Sequence, residues 1–340
     1  MRIRRRLPIL FGVVLVAAAI ALAVVLRKHA PPEPARLLPG ADGYLYVNLK
    51  RVRRANIAGQ MPEVPHEPEY EQFIQATGFQ FERDLDQAAF AIHYPARRKA
   101  NPPVPEPPRF SEVFVGRIDG TRLRAYLGKI SGAVENYRSV DIYSIPLEGR
   151  TLRVAVLGVD TVAASNHDDP MVIRGIVDRS RKLASPFGGP ALLRRYYKYV
   201  PLVSLGWAIF TVDPVDVLPS RSALSFLFTK PATVVASARY LGRVNFRAEA
   251  FTGSTDEAHR LTEQLGTFLQ LFHTAEGTVS MPGSDPDVKA FFNGLKVEQD
   301  NDRTVLTAAI PPGFIRKAVA SPPAEAQPAT SPLPPASKSK

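Results

Sequence analysis

Residues 66–70 read HEPEY, which begins like the zinc-protease helix motif, where two histidines four residues apart turn both imidazoles toward one metal. Tyr70 occupies the second ligand position and Pro68 would sit inside the required helix, so the stretch is expected to be a loop entering a helix. NHDDP gathers His167, Asp168 and Asp169, which could ligate a cation, but short polar residues ahead of Pro170 fit a helix cap better. DNDR at 300–303 lacks the sixth-position glycine and closing glutamate of a calcium loop and reads as a turn. His259 neighbours Arg260 and reads as solvated, whereas His93 alternates with Ala91 and reads as a packed or edge strand residue. Neither a GxSxG elbow nor a phosphate-binding glycine loop occurs, and the one SxxK match, Ser337 to Lys340, falls in a tail that cannot preorganise it. The expected catalytic set is therefore none, with no metal and no cofactor, and the chain reads as non-enzymatic. A hydrolase or metal-dependent enzyme with a dispersed site stands as the alternative.

Two basic stretches could bind instead. KRVRR supplies Lys50, Arg51, Arg53 and Arg54, and RRYYK joins Arg194, Arg195 and Lys198 to Tyr196 and Tyr197. Such mixtures suit phosphates, anionic lipid headgroups or acidic glycans, and a solvated basic face is the simpler reading. The formal charge of +11 does not by itself point to nucleic acid. Six of the 43 basic residues and none of the 32 acidic ones lie in residues 1–28, which leaves an excess of only five over the remainder. The chain contains no cysteine, which excludes disulfides, thiolate metal sites, cysteine nucleophiles and a lipidated cysteine. The single tryptophan, Trp207, lies in an apolar strand pattern and is expected in the core.

The elements that must carry these residues begin with Leu7 to Leu26, twenty residues without a charge, which at about 1.5 Å each span roughly 30 Å, a bilayer's hydrocarbon thickness. A cleaved signal has a shorter apolar region of about 7–15 residues with small residues after it, whereas this run meets Arg27 and Lys28 directly, which favours a retained anchor. Arg2, Arg4, Arg5 and Arg6 place residues 1–6 in the cytoplasm by the positive-inside tendency. For a bacterial chain this means an inner-membrane anchor and a periplasmic body. Residues 27–40 are proline-rich and are expected to form a stiff extended spacer.

Two bodies follow, at 41–184 and 191–319, separated by SPFGGP at 185–190. In the first, GYLYVNL, AAFAIHY and SEVFVGRI read as strands, PEYEQFIQATGF and GTRLRAYLGKI as helices, and residues 141–165 as a meander. A helix after Pro170, capped by Asp169, closes this body. In the second, GWAIFTV is a strand and RVNFRAEAF alternates, with Arg243, Asn245, Arg247 and Glu249 on a side expected to be wet. Ser254 and Glu257 stand at capping-box spacing before a long helix, and a hairpin turns at Asp300-Asn301. From 320 to 340 the tail is expected to be disordered. The pattern predicts an α+β architecture of mainly antiparallel sheets, each covered on one side by helices, with the two bodies a possible diverged duplication.

The phrases LLPGADGYLYVNLKRVR, TGFQFERDLDQAAFAI and FVGRIDGTRLRAYL resemble a loose group of uncharacterised bacterial single-pass membrane proteins with an extracytoplasmic α+β body. The resemblance covers most of residues 37–319 and implies an anchor and a body, but no activity. Taken together, these readings predict a membrane-anchored envelope protein with a binding or scaffold body. Its expected partners are the bilayer through residues 7–26 and an envelope protein or anionic envelope component, with nucleic acid disfavoured; a binder of anionic lipid, glycan or nucleic acid through the basic stretches stands as a further alternative.

Overall fold

Runs of alternating or continuous apolar residues become twelve strands in the computed structural model, which describes residues 30–56, 66–95, 107–147, 149–181, 189–213, 227–278, 286–311 and 313. The expected span at 7–26, most of the proline-rich loop after Pro95, residues 185–188 of the expected linker and the tail lie outside the described residues. Among the described residues, no helix is long and apolar enough to cross a membrane. The fold is α+β, and every strand pairing is antiparallel.

The strands are β1 Gly43–Val47, β2 Leu85–His93, β3 Arg109–Gly116, β4 Ala133–Tyr137, β5 Val140–Leu147, β6 Arg150–Val156 and β7 Thr161–Ser165, then β8 Gly206–Val212, β9 Ala232–Tyr240, β10 Val244–Phe251, β11 Lys296–Asp300 and β12 Arg303–Ile310. All belong to one sheet, in the order β11-β12-β10-β9-β8-β1-β2-β3-β7-β6-β5-β4. The strands of the two expected bodies are thus joined edge to edge through β1 and β8, with Tyr46 opposite Trp207. Topology repeats across this seam. In each half a three-stranded meander (β1-β2-β3, β8-β9-β10) is followed by a helix and a returning meander whose last strand, β7 or β12, pairs with the third.

The helices are α1 Glu33–Leu37, α2 Leu49–Arg54, α3 Pro68–Thr77, α4 Phe81–Asp84, α5 Gly120–Ile130, α6 Met171–Arg181, α7 Ala191–Tyr196, α8 Thr255–Thr278 and α9 Pro286–Asn293. They cover both faces of the sheet, not one. On the first face, Tyr44, Tyr46, Ala89, Ala91, Val113, Trp207 and Ile209 pack with residues of α1, α6 and α7, including Ala35, Ile173, Ile176, Val177 and Leu193. On the second, Leu123 and Leu127 of α5 meet Val154, Val156 and Val162, and Leu261 of α8 meets Val234 and Ala250.

Two further expectations are corrected. Residues 33–38 do not extend as a spacer: Pro34 lies in the first turn of α1, where a missing N–H is harmless, and Ala35, Leu37 and Leu38 are buried in the main core. Burying each leucine contributes roughly 2 kcal/mol, enough to fix a short helix that proline content alone argues against. The polar side of β10 is not uniformly wet either. Glu249 is only 4% exposed and accepts from Arg247 Nε at 2.8 Å and Arg303 Nη1 at 3.0 Å, while Arg303 lies over the rings of Tyr199 and Phe251.

The seam between the halves leaves no room for a side chain at Gly206, where a Cβ would stand 2.9 Å from the Tyr46 carbonyl oxygen of β1. Gly206→Ala is expected to push β8 from β1 and to destabilise the chain by about 1–3 kcal/mol. Urea unfolding followed through Trp207, the only tryptophan, checks this; an unchanged midpoint would refute it.

Candidate functional site

Helix α3 starts with Pro68 in its first turn and stops at Gly78, whose φ of 73° lets the chain reverse. Thr77 locks that stop: its hydroxyl donates to the Phe73 carbonyl at 2.7 Å and accepts from Phe79 N at 3.2 Å. Phe73, Phe79 and Phe81 then meet one another, and Phe73 meets Tyr126 of α5 edge-on at 5.5 Å. Helix α5 is capped by Asp119, which accepts from Thr121 N and Arg122 N. Asp84 fixes the turn between α4 and β2, held below the usual carboxylate range by hydrogen bonds from Arg83 and by Arg117, and its environment is largely buried.

Between these helices and β3, β5, β6 and β7 lies a cavity of about 320 Å³. Its walls include Phe73, Phe114, Leu123, Leu127, Val154 and Val162, and exposed Ile130 stands at its rim. Three lining residues carry polar side chains: Thr77, Asp119 and Glu112. The first two are committed to the backbone bonds above. Glu112 lies on β3 opposite Phe90 and Ala164. No described residue gives its carboxyl a hydrogen bond or ion pair, and burial raises its pKa. A larger recess of about 730 Å³ is lined by Asp42, Tyr94, Tyr196, Asp213 and Phe251, among others. There the Asp42 carboxylate already accepts from Tyr94 N at 2.8 Å, and the rim at Pro95 and Asp213 adjoins chain outside the described residues.

Residues singled out in the sequence are dispersed. His66 lies ahead of α3, where it meets Glu71 at 2.6 Å and stacks edge-on against Tyr70. Asp168 pairs with Arg109, Asp169 caps α6 through Met171 N, and His167 accepts from Asp169 N. Asn301, at φ 55°, and Asp302 form the β11–β12 turn, and Asp300 pairs with Arg303. Among the described residues no group of three or more histidine and carboxylate side chains is arranged to hold a metal ion.

The first basic stretch forms α2, and much of it is engaged. Arg53 donates to the Leu85 carbonyl at 2.6 Å and pairs with Asp86, Lys50 approaches the same aspartate at 3.7 Å, and Arg51 donates to the Ser204 carbonyl. Arg54 is exposed in the last turn of the helix. In the second stretch Arg194, Arg195 and Lys198 are exposed, with Arg195 over the Tyr196 ring and Lys198 over Tyr199. Tyr196 packs on Phe251 and Tyr197 on Trp207; burial pushes the Tyr197 hydroxyl up to about 12. The charge of Arg51 opposes that rise.

A buried polar chain lies on the opposite face of β3. Ser165 Oγ accepts from His167 N at 3.2 Å and donates to the Phe110 carbonyl at 3.2 Å. Ser111 Oγ lies 3.0 Å from Ser165 Oγ and 3.1 Å from His93 Nε2, so the three side chains form one hydrogen-bonded series. Ser111 is fully buried, so its hydroxyl offers no reachable nucleophile. The chain is an internal strut, with His93 held neutral.

The cavity escaped the motif search because its chemistry is a surface and not a pattern. One signal was present: Glu112 sits between Phe110 and Phe114 at two-residue spacing, a charge on an otherwise apolar strand side.

No family model matches the chain, and no curated protein matches it. Similar solved structures include crystal form III of TP0453, at 12% identity and a TM-score of 0.45, covering 85% of this chain and 98% of that one. Crystal form IV of TP0453 aligns at 10% identity and a TM-score of 0.42, covering 86% and 98%.

His93 generates a pH prediction. Burial, and to a lesser degree His167, pushes its pKa from 6.5 down to about 4, with Asp42 opposing. A depressed value means that the folded site refuses a proton which the unfolded chain accepts. Stability is therefore complete above pH 6.5 and falls as the pH drops toward 4, by up to roughly 3 kcal/mol. In His93→Gln the fall across that window is expected to shrink, as measured by urea midpoints at each pH; identical pH profiles would exclude the assignment.

Proposed function

We propose that the chain is a single-pass membrane protein whose body is a non-enzymatic binding module for an apolar ligand. The observation that carries this reading is the cavity between the sheet and α3 and α5: it is formed within one half of the sheet, its walls are apolar, and its only uncommitted polar group is one carboxyl. A single uncommitted carboxyl, with Asp119 tied to the cap of α5 and no histidine, lysine or serine in the lining, suits recognition better than turnover. The anchor is residues 7–26, with residues 1–6 cytoplasmic and the body in the bacterial periplasm, supported by the uncharged run and the arginines before it. Burial of Pro34, Ala35, Leu37 and Leu38 leaves only a short connection between the span and the body, which supports a body held close to the bilayer surface. The likeness of 37–319 to bacterial single-pass proteins belongs to the same reading. The two halves arose by duplication, with the junction at 185–190; the repeated meander, helix and returning meander on either side of the β1–β8 seam support this origin.

Protease shaving of spheroplasts, with intact masses recorded, is expected to degrade the body to a small membrane-held fragment. A protected full-length chain would place the body in the cytoplasm and overturn the topology. Val162→Phe, which fills the cavity from β7, is expected to weaken uptake of the fluorescent apolar probe N-phenylnaphthylamine by about tenfold or more relative to the unaltered chain held in amphipol. Equal uptake by both would remove the cavity as the binding site.

A further inference from the structure

We infer that the cavity selects a compact apolar amine, with its ammonium group on Glu112 and its body among Phe73, Phe114, Leu123 and Leu127. The inference rests on the binding reading above and names its ligand class. The cavity's volume of about 320 Å³ is at the small end for ligand sites, which suits one or two fused rings or a branched aliphatic group better than a long chain. Aromatic edges and faces from Phe73, Phe79, Phe81 and Phe114 favour a flat apolar body, and an ammonium group near them gains a cation–π contribution as well.

Glu112 decides the head group. Of the three polar lining side chains it alone has no bonding partner among the described residues: Thr77 serves Phe73 and Phe79, and Asp119 serves Thr121, Arg122 and the Arg122 guanidinium at 3.5 Å. Folding has already stripped much of the water from this carboxyl without supplying a cation, the situation in which a partner charge gains most. A ligand ammonium supplies both the charge and the donors. A neutral hydroxyl offers one donor and no charge, and an anionic head group meets repulsion. Binding moves no covalent bond; it forms an ion pair at a partly desolvated acid that has no partner among the described residues.

The test uses the full chain in amphipol and three ligands of one shape: naphthylmethylamine, naphthylmethanol and naphthoate, each titrated calorimetrically at neutral pH. The amine is expected to bind about tenfold or more tighter than the alcohol, with naphthoate weakest. In Glu112→Gln, which keeps the side chain's size, the preference for amine over alcohol is expected to vanish while alcohol binding persists. Equal affinities in the unaltered chain, a preference for naphthoate, or an amine preference that survives Glu112→Gln would each overturn the inference and leave the apolar site standing. If none of the three binds while the thermal transition shows a folded chain, the inference and the binding reading fail together.

Discussion

The backbone of β1 holds the molecule together. This strand of five residues pairs with β2 on one edge and with β8 on the other, so its N–H and C=O groups join the two halves of a twelve-stranded sheet. Without it, β2 and β8 would each present an unpaired edge within a largely apolar surface. Its side chains reinforce the seam. Tyr44 and Tyr46 are 1% and 3% exposed, and each hydroxyl is satisfied, by the Pro39 carbonyl at 2.7 Å and by Gln87 at 2.8 Å. Tyr46 stacks on Trp207, which in turn meets Tyr197, so the aromatic packing crosses the seam as the hydrogen bonds do. The glycines at Gly43 and Gly206 keep the strands close there: a Cβ on Gly43 would stand 3.1 Å from the Phe210 Cβ.

The halves share a topology but differ in how closely a helix lies on the second face, and this difference makes the cavity. In the second half α8 approaches through small residues. Ala258 is fully buried, its carbonyl accepts from the Thr304 hydroxyl at 2.9 Å, and Thr262 and Thr304 share a hydrogen bond at 3.0 Å. Helix α8 therefore sits directly on β12. In the first half α5 presents Leu123 and Leu127, and α3 wedges beside it through the Phe73–Tyr126 contact. Large side chains at these points hold the helices off the sheet, and the space beneath is what β3, β6 and β7 enclose.

Much of this frame can be read from residue patterns, and the exceptions have physical causes. β8 and β10 and the capped helices α5, α6 and α8 show local signals, such as alternation, Asp119, Asp169 and the Ser254/Glu257 box, in which Glu257 reaches back to Gly253 N at 3.1 Å. α1 does not: Pro34 and its neighbours spell an extended segment, and only burial of Leu37 and Leu38 by distant strands makes it helical. β9 is obscured for a related reason. It lies between β8 and β10, four consecutive residues from Ala232 to Val235 are buried, and the two-residue alternation that marks a half-wet strand is lost. The candidate site is less legible still, because a cavity depends on how far α3 and α5 stand from the sheet, and no spacing within one element encodes that distance.

Two glutamates show how the same side chain is used in opposite ways. Glu249 and Glu112 each lie on the third strand of their half's meander, yet they point to opposite faces. Glu249 is more deeply buried and is matched by two guanidinium groups, Arg247 and Arg303, the second held in turn over aromatic rings. Removing its charge would take this carboxylate from Arg247 and leave Arg303 with Asp300 alone, so its role is to close a packed network. Glu112 has no such match. Burial works against its ionised form, and valine or leucine at that position would pack against Phe90 and Ala164 without that penalty. Folding alone therefore gives no reason for an acid there, whereas a ligand that brings its own positive charge does, and of the two acids lining the cavity only Glu112 lacks a partner among the described residues.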